Sequence, residues 1–244
     1  MGMKVDAKRR LLWVCTAGHA QMSNYKPEDN GRSGVFKYDL RTGRLLKKYL
    51  LPEKQGGHWL GDLVLNSRGD VFTSDSISPA IYFIDHRNDE LQPFLETSDF
   101  VNPQGLAFTP DEDHLFMADY SLGLFLIDLK SRHYEKVGPP PHTTLLGIDG
   151  LYADGKNLIG VQNGINPNRV VRLELADNFR SVKRLDVLEV NHPLFNEPTL
   201  GVLVKKQFYV IANSQWAMID DKGQLTDTEK LKEPVIIKIP LVFN

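Results

Sequence analysis

Leu60-Gly61-Asp62-Leu63-Val64-Leu65, Asp70-Val71-Phe72-Thr73-Ser74-Asp75 and Ile81-Tyr82-Phe83-Ile84-Asp85 are followed by a second set of the same grammar: Gln104-Gly105-Leu106-Ala107-Phe108, His114-Leu115-Phe116-Met117-Ala118-Asp119 and Leu124-Phe125-Leu126-Ile127-Asp128. Each set is a short apolar run containing a Gly, then a turn, then two β-rich runs ending in Asp. The aspartates recur along with the apolar pattern, so the match is a repeat and not a shared composition. A unit of this size cannot bury its own apolar face. Stacking of neighbours must build the core, and function is expected where units meet.

Three more units follow the same order. Met3–Asp6, Leu11–Cys15 and Val35–Asp39 form one. Asp149–Tyr152, Leu158–Val161 and Val170–Leu173 form another. Leu200–Val204, Phe208–Ile211 and Val235–Ile239 form the last. The marker glycines Gly2, Gly61, Gly105, Gly150 and Gly201 lie 59, 44, 45 and 51 residues apart by subtraction of their numbers. That is the scale of a four-stranded propeller blade, roughly 40–50 residues. Helical periodicity is poor, and β-branched and aromatic runs are bounded by Gly, Pro, Asn and Asp. The chain is therefore read as all-β: a single β-propeller domain over 1–244, with blades at about 1–52, 53–98, 99–141, 142–192 and 193–244.

Bulk properties narrow the function. With 29 basic and 31 acidic residues the net charge is −2, which gives no electrostatic footprint for nucleic acid. The basic triplet Lys8-Arg9-Arg10 is read as a solvated turn. Cys15, the one cysteine, excludes an internal disulfide and fits a small core residue. No run approaches the ~18 apolar residues of a membrane helix, so no membrane partner is expected. No signal peptide is visible, since the strand pattern begins at Met3. No Gly-X-Ser-X-Gly motif, Cys/His zinc spacing or phosphate-binding loop is present.

The last unit is short by one strand, and nothing ahead of Gly2-Met3-Lys4-Val5 could close the ring. The five blades are therefore expected to form an open arc, with exposed edges offering a route to self-association.

The segments Asn102-Pro103-Gln104-Gly105-Leu106-Ala107-Phe108-Thr109-Pro110-Asp111 and Ile148-Asp149-Gly150-Leu151 resemble the senescence marker protein/gluconolactonase/luciferin-regenerating enzyme family. So do the strand ends Ala118-Asp119-Tyr120 and Leu126-Ile127-Asp128-Leu129. The resemblance implies six blades, so the first blade is missing here. It also implies a divalent metal, often calcium, at one mouth of the channel. Asp149 matches the family's Asp-Gly-Leu ligand. Gln104 stands where the family has Asn, and Gly61 replaces another family Asn ahead of Asp62. The family's Glu has no counterpart, which leaves Asp149 as the one charged ligand expected.

The residues themselves point the same way. Inner strands line the channel, so the positions before the marker glycines face its mouth: Leu60, Gln104, Asp149 and Leu200, with His58, Asp62 and Glu197 nearby. Oxygen donors converging on one axis suit a hard cation. Asp149 is read as metal ligand or general base, with an Asx turn as its structural alternative. Gln104 is the second metal candidate. His58, Asp62, Gln162 and Asn163 are candidate substrate contacts, set against inter-blade packing for His58 and a turn for Gln162-Asn163-Gly164. Asp75, Asp119 and Asn213 recur at equivalent strand ends and are read as structural. Trp13, Trp59 and Trp216 are read as inter-blade packing. Two functions follow: a metal-dependent hydrolase of lactones or related esters, or a non-catalytic propeller that binds a small molecule or a protein at its mouth.

Overall fold

The computed structural model describes residues 1–241. Five antiparallel sheets are arranged as a β-propeller. The first runs β1 (Met3–Asp6), β2 (Leu11–Ala17), β3 (Ser33–Asp39), β4 (Leu45–Leu50). The second runs β5 (Leu60–Leu65), β6 (Val71–Asp75), β7 (Ala80–Ile84), β8 (Leu91–Glu96). The third runs β9 (Pro103–Phe108), β10 (His114–Asp119), β11 (Gly123–Asp128), β12 (Tyr134–Lys136). The fourth runs β13 (Ile148–Asp154), β14 (Asn157–Gln162), β15 (Arg169–Leu175), β16 (Val182–Val190). The fifth holds three strands among the described residues: β17 (Gly201–Val204), β18 (Gln207–Ile211) and β19 (Ile236–Pro240). No helix among the described residues is long and apolar enough to cross a membrane.

The Gly-marked strands are innermost, and β5, β9 and β13 touch in succession around the axis. Gly105 shows why glycine is needed there. A Cβ on it would meet the backbone N of Leu151 at 2.5 Å and the carbonyl of Asp149 at 2.6 Å. The third and fourth blades could not close to this distance with any larger residue.

Four apolar seams hold the blades together. Trp13, Cys15 and Val35 of the first blade meet Leu60, Leu63 and Tyr82 of the second. Phe72 and Ile81 meet Leu106, Met117 and Phe125. Phe116 and Leu126 meet Ile148, Leu158 and Val171. Ile159 and Val170 meet Phe208, Val210 and Ile239. Trp13 and Cys15 therefore pack as expected.

The five blades stand in a ring and not in the open arc expected, because loops of the fifth blade reach those of the first; that junction differs from the others. No apolar cluster joins the two blades among the described residues, and Met3 (63%), Val5 and Leu50 of the first blade and Val202, Ile211 and Ile236 (66%) of the fifth are exposed. Loops bridge the two blades at the top, where the Gln21 amide donates to the Asp220 carbonyl at 3.3 Å.

Strand-end carboxylates carry the turns. Asp75 Oδ1 accepts the N–H groups of Trp59, Ile77 and Ser78 at 3.0–3.1 Å. Asp119 accepts those of Val101, Asn102, Ser121 and Leu122. Asn213 accepts the Val235 N–H at 2.7 Å and donates to the Glu233 carbonyl. Their structural role follows from these bonds.

The close approach at Gly105 predicts a specific weakness. Gly105→Ala should lower unfolding stability by about 1–3 kcal/mol, the usual cost of overpacking. Urea denaturation would measure it, and an unchanged midpoint would contradict the packing described.

Candidate functional site

The inner strands share a local irregularity that builds the site. In β5 the pairing with β6 slips between Leu60 and Leu63. In β9 the pairing with β10 slips where Gln104 and Gly105 lie. In β13 the pairing with β14 slips between Ile148 and Leu151. Such bulges re-aim side chains without ending the strand. The residues at the first bulge position are Gly61, Gln104 and Asp149, and all three line one cavity of about 500 Å³ at the channel mouth.

This corrects the register read from the glycines. Gly61 is the structural equivalent of Gln104 and Asp149, whereas Leu60 pairs with Asp75 and is fully buried in the seam with the first blade. A one-residue slip moves every side chain to the other face of a strand. Asp62 therefore occupies the place of Gly105 and Gly150. It is buried, with Oδ1 accepting the Lys4 ammonium at 2.8 Å.

Asp149 is held from two sides. Its Oδ2 accepts the Thr199 hydroxyl at 2.6 Å and the Asn163 amide at 2.9 Å. The Asn163 Oδ1 accepts the Tyr120 hydroxyl at 2.9 Å, and its Nδ2 also donates to the Pro198 carbonyl. Gln104 is steadied by its own Nε2, which donates to Asn102 Oδ1 at 2.6 Å. Asn102 is in turn fixed through its N–H on Asp119.

Burial pushes the Asp149 carboxyl above its ordinary value, against the pull of Thr199, the Met1 ammonium and Asn163. Glu197 lines the same cavity. Burial raises its carboxyl too, and the charge of Asp149 adds to the rise; Ser214 and the N–H groups of Trp216 and Ala217 offset part of it. No Lys, Arg or His side chain lines the mouth.

The structure thus brings Gln104, Asp149 and Asn163 together and leaves His58, Asp62 and Gln162 outside the lining. His58 is buried, with Nδ1 on Asp75 at 2.5 Å and Nε2 on the Pro52 carbonyl at 3.1 Å. Gln162 is fully buried, donating to the carbonyls of Thr144 and Leu146 and accepting Arg169 Nε. Both therefore serve the scaffold.

Three aromatic lining residues escaped the sequence reading, and Glu197, read only as near the mouth, lines it. Glu197 makes the mouth a two-carboxylate site, where Asp149 alone was expected. Trp59 and Trp216 line the cavity with their rings 5.8 Å apart at 81°, and Tyr120 completes the wall. Trp59 directly precedes β5, as Asn102 precedes β9, and that position was the available signal.

A second group, Asp70, Asp85 and His86, has metal-ligand spacing at the opposite end of the second blade. Its carboxylates are already engaged: Asp70 by Asn66, His86 and Arg68, Asp85 by Arg87. The neighbouring guanidinium groups oppose a further cation there.

No family model matches the chain, and no curated protein matches it by sequence. Among solved structures it is similar to a chain of a nidogen/laminin complex, at 15% identity and a TM-score of 0.60, covering 93% of this chain and 78% of that one. It is also similar to hydrazine synthase of Kuenenia stuttgartiensis, at 17% identity and a TM-score of 0.58, covering 86% of this chain and 61% of that one. At these identities the likeness is one of fold alone.

The raised Glu197 carboxyl sets a pH dependence. Folded chain binds this proton more tightly than unfolded chain, so stability falls as pH rises from the ordinary carboxylate range through the raised value. Glu197→Gln removes that loss. The variant should melt higher than the parent at neutral pH, and the difference should vanish near pH ~4. Melting curves of both proteins across this range, without divalent ions, test it; a variant no more stable at neutral pH would contradict the assignment.

Proposed function

We propose that the chain is a hydrolase of small lactones or related esters, assisted by a divalent cation, with its site at the channel mouth. The observation that carries the reading is a pair of carboxylates, Asp149 and Glu197, gathered in one cavity with no basic side chain lining it. Burying two like charges without a partner is costly. A hard cation would relieve that cost, and the donor set suits one. Asp149 and Gln104 would hold it, since Asp149 Oδ1 and Gln104 Oε1 accept no hydrogen bond among the described residues. Water would complete the ~6–8 oxygens calcium takes. A bound cation of this kind polarises a carbonyl oxygen.

The chain's own groups do the rest. Thr199 and Asn163 fix the Asp149 carboxylate in one orientation. Asp149, as cation ligand or as base toward a bound water, faces the reacting end, and Glu197 adds the cavity's second carboxylate. The amides of Asn102, Gln104 and Asn163 and the hydroxyl of Tyr120 can orient a polar substrate. Trp59 and Trp216 limit water on one side.

The second reading is a non-catalytic propeller that binds its ligand at the same mouth. It is favoured by the composition of the lining, which holds serines at 76 and 214 but no histidine or lysine to activate them. One structural neighbour comes from a nidogen/laminin complex, and propellers host many functions.

Calcium titration by calorimetry and a panel of lactones and esters separate the two. The hydrolase reading expects weak calcium binding, Kd about 10⁻⁴–10⁻³ M, and hydrolysis that depends on it. Asp149→Asn should abolish calcium binding and lower kcat/KM by about 100-fold or more, as loss of an acid–base or electrostatic group does. Binding of lactones without turnover at any calcium concentration would leave the second reading in place.

A further inference from the structure

The mouth has a second chemical character beside its oxygen donors. Trp59 and Trp216 stand nearly perpendicular, 81° between planes and 5.8 Å between centroids, so they form a corner. His19 stacks on Trp59 at 4.0 Å and supports it from outside the lining. Trp216 is 42% exposed and belongs to none of the seam cores, so beyond its edge contact with Trp59 its ring is open to the mouth. Glu197 lines the same cavity. Tyr120 adds a third aromatic ring to the same wall.

Aromatic faces at right angles beside an uncompensated carboxylate are the chemistry that recognises an organic cation. The ring quadrupoles attract positive charge, and the carboxylate supplies its counter-charge. A hydrated metal ion makes poor use of indole faces, whereas an alkylated ammonium, weakly hydrated and apolar at its surface, gains from both.

We infer that the corner between Trp59 and Trp216 binds an organic ammonium group opposite Glu197, and that the substrate of the mouth is an ester or lactone carrying that group. The cationic head lies at the tryptophans, and the carbonyl end reaches toward Asp149 and Gln104. The substrate half of this inference rests on the hydrolase reading; the binding half does not.

Two measurements test it on the intact chain. The first is titration with choline, followed by calorimetry and tryptophan fluorescence, against its neutral isostere 3,3-dimethylbutanol. Choline should bind about tenfold tighter or better, the scale of a cation–π contact with a carboxylate beside it. Trp216→Leu should abolish that preference while calcium affinity stays within about twofold, since the metal donors lie elsewhere in the mouth. Equal binding of the two alcohols, or no binding of choline, overturns the inference and leaves the hydrolase reading untouched. A preference that survives Trp216→Leu overturns the placement.

The second measurement compares acetylcholine with 3,3-dimethylbutyl acetate as substrates. A kcat/KM ratio of about ten or more in favour of the cationic ester is expected, falling toward one in Trp216→Leu. A ratio near one in the parent overturns the substrate assignment. If neither ester is hydrolysed while choline binds selectively, the hydrolase reading fails and the ammonium site stands.

Discussion

The closest contact between blades is backbone against backbone, and the molecule is organised around it. Where Gly105 meets Leu151 and Asp149, there is no room for a single side-chain carbon. That proximity brings the inner strands to one axis and lets the seams on either side fill with large apolar residues such as Phe116 and Leu106. It also leaves β9 and β13 bulged at the same level, which turns Gln104 and Asp149 to the channel mouth instead of into a seam. Packing and site are two results of one constraint.

The strand-end carboxylates work on the outer side of the same geometry. Asp119 gathers four backbone N–H groups from both the segment before β9 and the turn after β10. It thereby sets Asn102, which sets Gln104. A residue with no access to solvent thus positions a residue that has it. Asp75 does the same for Trp59 through its N–H, with His58 as a further partner.

The fold was legible in the chain because repetition shows it several times over. Five copies of one apolar pattern, each with its glycine and the first three with a closing Asp, leave little choice of architecture. The site was legible only in part. Asp149, Gln104 and Asn163 stand in or beside repeat motifs, and the repeat carried them to the mouth. Asp62 was misplaced because glycine alignment ignores bulges: in β5 the marker glycine itself occupies the mouth-facing place, and its neighbour turns down to Lys4. Trp216 and Tyr120 sit in connections that differ from blade to blade. Nothing in a periodic pattern marks which connection will fold over the axis.

The unpacked seam between the fifth and first blades divides the mouth unequally. In a stack of repeats each unit draws its stability from the interfaces on its two sides. The third and fourth blades, which carry Gln104 and Asp149, are clamped on both faces. The fifth blade is clamped on one, and Glu197 and Trp216 hang from it or from the loop beyond β18. One wall of the cavity therefore rests on blades packed on two sides, and the other on a blade packed on one. A ligand that touches both walls adds a link across the one junction of the ring that no apolar cluster spans among the described residues.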